Sequence, residues 1–437
     1  MHFDTLDAWL TWQEQLNPAE IELGLERVLQ VLQRMELLTP NFAVITIAGT
    51  NGKGSSAAML QSIYDAAGYR VGTYTSPHLH CYNERITLND VMSDDATLCE
   101  AFEQIEQART ADGDDIPLTY FEFGTLAAIV IFAQANVDIA ILEVGLGGRL
   151  DAVNALEPDV ALVTMVDIDH QSWLGDDRET IAREKAGIYR AGRPAICAEP
   201  SPAHSLVAYA TEIGALFYSL NHQFSYALNE VADGGTWHWH SEQQSYDALP
   251  LPGLTGAFQL QNAAGVLMVI TLLQPRFPVA LAAIETGLKQ VQIAGRLQRV
   301  VHDKFAGIEC LLDVAHNRSS AQVLSDTLAA QPCVGKTHGV VAMLADKDIN
   351  AVVAAMRPVV DNWYVASLEA ALCPRGAAAG DITAVLPMEG AKSQSFANVA
   401  AAMAAALQNA TEGDRVVVFG SFYTVAEAKT FLHDIGC

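Results

Sequence analysis

The chain has 437 residues, of which 51% are hydrophobic and 17% charged, apolar enough to bury more than one core and too poor in charge for a disordered polymer. Asp and Glu number 51 against 25 Lys and Arg, a formal charge of −26, so no basic face for nucleic-acid phosphates is expected and a bound anion would need a local cation. Seven cysteines (81, 99, 197, 310, 333, 373 and 437) without a CxxC, a start with no basic-then-apolar pattern, and apolar runs such as 125–133 and 263–273 too short for a bilayer argue against a disulfide framework, a zinc ribbon, a signal peptide and a membrane span, and for a reducing, cytoplasmic setting.

Residues 5–38 read as helical, with Leu23, Leu25, Val28, Leu29, Leu32 and Leu38 at roughly helical spacing. Residues 43–48 (AVITIA) form a short β-branched run that ends in Gly49-Thr50-Asn51-Gly52-Lys53-Gly54-Ser55. An apolar helix over 57–67 stops at Gly68, and a second strand covers 70–74. The runs 138–144 (DIAILEV) and 159–166 (DVALVTMV) are further buried strands, ending in Gly145-Leu146-Gly147-Gly148-Arg149 and in Asp167-Ile168-Asp169-His170. Such runs separated by helices point to a parallel sheet covered on both faces, whose ligands bind at the carboxyl ends of the strands. Residues 215–250 read as an antiparallel appendage with strands at 217–220, 224–228 and 237–240 and a turn at Gly234-Gly235; helices follow at 259–273 and 279–290. Residues 292–298 read as a hinge, after which strands at 308–313, 338–344, 363–367 and 415–420 and a helix at 397–409 describe a second domain. The fold class is therefore α/β: a P-loop-type, mostly parallel sheet ATPase domain over 1–294, then a smaller Rossmann-like α/β domain over 295–437.

Residues 49–55 have the physics of a phosphate cradle: glycines let amides crowd around oxygens, Lys53 adds a charge, and the following helix points its positive end at the anion. The loop departs from the Walker pattern, with Ile47 where that pattern has Gly and Gly54 where it has Ser or Thr. Glu143 ends a buried strand, where a carboxylate either binds a cation or caps a helix. His170 stands at the adjacent strand tip, and the Ser76 hydroxyl can complete the oxygen shell of a divalent cation. Lys185, on a helical stretch beside Glu184 and Glu179, reads from local pattern alone as a surface ion pair.

The variant Gly-Thr-Asn-Gly-Lys resembles the nucleotide loop of the Mur ligase superfamily of ATP-dependent amide-bond ligases, and its Gly54-Ser55 ending resembles the folate branch of dihydrofolate and folylpolyglutamate synthases. Other stretches match in the same order: Leu23 to Arg27, Thr75-Ser76-Pro77-His78-Leu79, Thr119 to Phe123, Glu143 to Asp151, Asp169-His170, Arg183 to Ile188, Gln261 to Ala264, Gly295-Arg296, Asp313 to Asn317 and Phe419 to Phe422. The resemblance implies an ATP site at Gly49, Thr50, Asn51, Gly52, Lys53, Gly54, Ser55, Asn262, Arg296 and Asp313. It implies Mg²⁺, in two sites, held by Ser76, Glu143 and His170, and a carbamylated Lys185. Dihydropteroate or a reduced folate would lie against Glu22, Leu23, Gly24, Thr119, Tyr120, Phe121, Glu122, Leu150, Asp151 and Ala152, and glutamate against His316 and Ser421. Lys53, Lys185 and His316 are the catalytic candidates. A monovalent cation, a monomeric state and the absence of nucleic-acid or membrane partners complete what it implies. Arg318, Tyr423 and the Ser55-Ser56 pair depart from residues common in relatives (Pro, His and Thr-Thr). The reaction expected is phosphorylation of a substrate carboxylate by ATP, attack by the amine of L-glutamate, and release of phosphate. Two other readings stay open: a peptidoglycan Mur ligase, and a P-loop switch or motor that hydrolyses ATP without synthesis.

Overall fold

The computed structural model describes residues 2–17, 21–113, 115–229, 235–301, 303–368, 373, 375–386 and 392–435. The chain divides into two compact units, one comprising Met1–Gly253 and Gln259–Gln292, the other Leu254–Phe258 and Ile293–Cys437.

The first unit is built on an eight-stranded sheet of β1 (Ala43–Ala48), β2 (Val71–Tyr74), β3 (Ile86–Leu88), β4 (Val91–Met92), β5 (Ile139–Glu143), β6 (Val160–Val163), β7 (Pro194–Cys197) and β8 (Leu216–Ser219), in the order β4-β3-β2-β5-β1-β6-β7-β8. β1 is buried along its whole length and runs parallel to β5 and β6, with Ile47 opposite Glu143 on one side and Ile45 opposite Val160 on the other. Among the described residues the antiparallel pairings of this sheet are β2–β3 and β3–β4; β3 and β4 form a hairpin whose Asn89 and Asp90 both have positive φ, the backbone a tight two-residue turn demands. Beside the sheet lie α1 (Leu6–Leu16), α2 (Glu26–Arg34), α3 (Lys53–Ala66), α4 (Asp95–Arg109), α5 (Tyr120–Gln134), the single turn α6 (Gln171–Leu174), α7 (Arg178–Ala186) and α8 (His204–Glu212). A second sheet, β9 (Phe224–Leu228), β10 (Thr236–Ser241) and β11 (Ser245–Pro250), is a three-stranded antiparallel appendage. It precedes α9 (Phe258–Leu273) and α10 (Leu281–Gln290); α10 lies so close to α3 that a side chain on Gly287 would strike the backbone of Ile63.

Three expectations need correction. Residues 5–38 are not one helical stretch: α1 ends at Leu16 because the extended Asn17 precedes a proline, and α2 begins only after Gly24, at φ 156. The run at 217–220 is not part of the appendage; it forms β8, parallel to β7 at the edge of the main sheet. The strand expected to reach 166 stops at Val163, because its neighbours β1 and β7 end opposite it, at Ala48 and Cys197. The turn expected at Gly234-Gly235 lies partly outside the described residues.

The second unit carries β12 (Gln298–Val300), β13 (Glu309–Leu312), β14 (Thr337–Val341), β15 (Asn362–Ala366), β16 (Lys392–Phe396) and β17 (Arg415–Phe419) in the order β12-β13-β17-β14-β15-β16, all parallel except β12. Its helices are α11 (Arg318–Ala330), α12 (Ile349–Met356), α13 (Ala379–Thr383), α14 (Val399–Asn409) and α15 (Phe422–Asp434). No described helix in either unit is long and apolar enough to cross a membrane.

Candidate active site

The glycine loop leaves β1 and turns into α3 at Gly52, whose φ of 90 is the left-handed conformation that caps this helix. Lys53 is thus the first helical residue, and its ammonium donates to the carbonyls of Gly49 (3.0 Å) and Thr50 (3.4 Å). The loop is stitched to the segment after β6. The Thr50 amide donates to Met165 O at 2.7 Å, the Thr50 hydroxyl donates to Asp167 O and accepts from its amide, each at 2.9 Å, and the Thr164 hydroxyl donates to Asn51 O at 2.7 Å. A Cβ on Gly49 would sit 1.9 Å from the Thr164 hydroxyl, and one on Gly52 would sit 2.5 Å from Asn262 Oδ1. Asn262 is buried against the loop, bonded to Gln259, which in turn donates to Ser55. Thr164 and Gln259 were missed in the sequence because their role arises only from contacts more than a hundred residues away.

The strands that carry the candidates are contiguous. β2, β5, β1 and β6 lie side by side and parallel, so Ser76, Glu143, the glycine loop and the segment leading to His170 all leave the same end of the sheet. Glu143 is 5% exposed and its carboxylate accepts the Ser76 amide at 3.2 Å. His170 is exposed, in a left-handed conformation just before α6. Among the described residues no group of three or more His, Cys, Asp or Glu side chains is arranged to hold a metal. A hydroxyl, one carboxylate and one imidazole fit an ion that keeps waters and takes phosphate oxygens, as Mg²⁺ does, and do not fit a closed protein cage.

Lys185 is not a surface residue. It is 4% exposed near the end of α7, and the acids beside it are engaged elsewhere: Glu184 pairs with Arg149, and Glu179 accepts the amides of His204 and Ser205. The loop after β5 packs onto this turn so closely that a Cβ on Gly148 would lie 2.9 Å from the Lys185 carbonyl. Burial, with Lys53 nearby, pushes the Lys185 amine down to about 7, against the opposing pull of Asp169 and Asp151. Asp151 is also buried; burial raises its carboxyl to about 6, although it accepts the amides of Leu146 and Val153 and feels Lys53. Lys53, Lys185 and Asp151 therefore share one electrostatic neighbourhood.

The three segments expected to meet the pterin are joined to one another. The Gly24 amide donates to Leu150 O at 3.1 Å, and Arg27 bridges Glu22 (2.7 Å) and Glu122 (3.0 Å). Thr119 and Glu122 form the capping box of α5, and both are buried, so their first duty is to hold the helix start. Leu23, Tyr120, Phe121 and Leu150 are half-buried and Ala152 is buried, whereas Phe123 is fully buried against Trp12 and Phe102 and is core. Arg27 went unassigned in the sequence although it lies in one of the matched stretches.

In the second unit, Asp313 follows β13 and its carboxylate accepts the amides of Leu297 (2.9 Å) and Ala315 (2.8 Å). Burial raises its pKa, with Arg296 opposing. His316 Nδ1 bonds the Val314 carbonyl, and Ser421 caps α15 through the Thr424 amide. Arg296 lies over the Phe422 ring at 5.2 Å. β13 and β17 are neighbours, so these residues gather at the carboxyl end of that sheet. Asp313 and Ser421 also serve their own turns, a local structural job that pattern alone could not separate from binding.

The Mur ligase middle domain family model matches residues 47–270, and the Mur ligase, glutamate ligase domain model matches residues 295–422. The dihydrofolate synthase/folylpolyglutamate synthase of Escherichia coli (strain K12) is 41% identical over 421 residues, spanning 96% of this chain and 94% of that protein. The structure of E. coli FolC in complex with DHPP and ADP is similar with a TM-score of 0.91 and 40% identity over 99% of both chains. A bifunctional folylpolyglutamate synthase/dihydrofolate synthase with Mn, AMPPNP and L-glutamate bound is similar with a TM-score of 0.88 and 43% identity over 98% of both.

Proposed function

The chain belongs to the Mur ligase family, and from that premise we infer that it is an ATP-dependent glutamate ligase acting on folates. It adds L-glutamate to dihydropteroate and to reduced folates. A carboxylate is a poor acyl donor because its leaving group would be oxide. The γ-phosphoryl group of ATP first passes to the carboxylate, giving an acyl phosphate and ADP; the amine of glutamate attacks the acyl carbon, loses a proton, and phosphate departs. Lys53 and the first amides of α3 offset negative charge on the transferred group. Ser76, Glu143 and His170 would hold Mg²⁺, in two sites completed by phosphate and water; when bound it supplies charge neutralisation at the phosphates. Lys185 is assigned as a carbamate. Its buried, depressed amine supports this, since only a neutral amine can add CO₂ and a negative carbamate suits a cation-rich pocket better than an ammonium.

Residues 22–24, 119–122 and 150–152 are assigned to the pteroate moiety, Asn262, Arg296 and Asp313 to the nucleotide, and His316 and Ser421 to glutamate. The six described cysteines are all free, which supports a cytoplasmic setting; the chain is read as a monomer. The observation that carries the reading is the run of four neighbouring strand ends bearing Ser76, Glu143, the Lys53 loop and the His170 segment. The test is ADP release with dihydropteroate, a reduced folate or a UDP-muramoyl substrate, each with and without L-glutamate. Release should require a folate-type carboxylate. Turnover with the muramoyl substrate alone would move the chain to the peptidoglycan branch, and hydrolysis indifferent to all acceptors would make it a switch or motor.

A further inference from the structure

Arg85 stands beside the candidate site without an assigned task. Its carbonyl accepts the Thr75 amide at 2.9 Å, one residue before Ser76. Its guanidinium lies over Tyr82 at 5.4 Å and over Tyr120 at 5.5 Å, and these two rings meet edge to face with centroids 5.5 Å apart. Nε donates to His78 Nδ1 at 2.8 Å, which fixes the plane of the fork, and the guanidinium also reaches toward the buried Tyr74 hydroxyl. Among the described residues no carboxylate lies within ion-pair distance of it; the adjacent Glu84 is consumed by the amides of Leu79, His80 and Cys81. Arg85 is only half-buried. A held, half-buried guanidinium with aromatic support and no acid of its own is suited to a carboxylate brought by a ligand.

The chemistry of the two substrates says which carboxylate. Dihydropteroate carries one, and it is the one activated. A glutamylated folate ends in two: one reacts, and the other remains an anion that needs a partner. Through Thr75 and Tyr120, Arg85 joins the Ser76 side of the site to the 119–122 segment. We propose that Arg85 is a specificity residue that receives the non-reacting carboxylate of glutamylated folates and has no counterpart group in dihydropteroate. This rests on the glutamate-ligase reading.

The experiment compares KM for a reduced folate monoglutamate and for dihydropteroate in the unaltered chain, Arg85→Gln and Arg85→Lys. Arg85→Gln should raise the folate KM about tenfold or more and the dihydropteroate KM less than about threefold, and Arg85→Lys should recover part of the loss. Equal rises with both substrates would make Arg85 a prop for the aromatic pair, and no rise would make it idle; either overturns the proposal. A second measurement leaves the chain intact. The folate monoamide that is still turned over should show a KM raised by a similar factor in the unaltered chain and no further penalty in Arg85→Gln. An unchanged monoamide KM also overturns the proposal. Turnover of neither parent substrate by the unaltered chain would instead bring down the ligase reading itself, and this assignment with it.

Discussion

Lys185 shows how a single buried amine can oppose folding and serve chemistry. As an unmodified amine its folded pKa of about 7 lies below the ordinary 10.5. Between those values the unfolded chain binds the proton more readily, so stability falls as pH drops from about 10.5 toward 7 and is level below that. Lys185→Met should therefore stabilise the unmodified chain at pH 7, by on the order of a few kcal/mol at most, and so raise its melting temperature; the gain should shrink as the pH approaches 10. Ligation should be lost in the same variant. Denaturation of both chains at the two pH values, with activity measured in parallel, checks both halves; a gain of the same size at pH 7 and pH 10 would contradict the burial argument. Glu143 makes a complementary case. It is nearly as buried, and its carboxylate accepts the Ser76 amide at 3.2 Å. Glu143→Ala should raise the Mg²⁺ concentration for half-maximal rate about tenfold or more; an unchanged titration curve would remove it from the ligand set.

At the scale of elements, the strand-loop-helix unit of β1 and α3 is the part on which the nucleotide reading turns. Gly52 is held at φ 90, and a Cβ there would lie 2.5 Å from Asn262 Oδ1. Gly52→Ala should thus cost about 1–3 kcal/mol of stability and raise the KM for ATP more than that for glutamate, which a melting curve and two substrate titrations would read out. This unit was legible because its signals are local: a run of six residues apolar but for Thr46, a glycine loop, then a helix. Its finer boundary was not, since α3 begins at Lys53 rather than 57, a consequence of backbone geometry at one glycine. The break after Leu16 was hidden by the leucines beyond it, although Asn17 before a proline and Gly24 were there to read. β16 (KSQSF) carries no apolar run and gains strand structure only by pairing with β15 at the sheet edge. That Ser76, Glu143 and His170 stand at or after strand ends was legible in the pattern, while the contacts of Thr164, Gln259, Arg27 and Arg85 were not. Each of those four acts through a partner distant in sequence or across a fold of the chain, and no spacing rule announces such a partner.

Across the whole molecule the candidates divide by unit. The glycine loop, Ser76, Glu143, His170 and Lys185 belong to one compact unit, and Arg296, Asp313, His316 and Ser421 to the other. The proposed reaction also has two halves: formation of an acyl phosphate, which needs ATP and a carboxylate, and its capture by an amine. Hydroxylamine separates them, because it traps an acyl phosphate as a hydroxamate without glutamate. Lys53→Ala removes the charge at the start of α3 and should abolish hydroxamate formation and ligation together. His316→Ala should leave hydroxamate formation within about threefold of the unaltered chain while raising the KM for glutamate about tenfold or more. In that variant ADP release should outrun ligation, because an acyl phosphate left waiting for its amine is open to water. Equal loss of both half-reactions on substitution of His316 would assign it to the phosphoryl step instead, and hydroxamate formation that survives in Lys53→Ala would remove the phosphate-cradle role from the glycine loop.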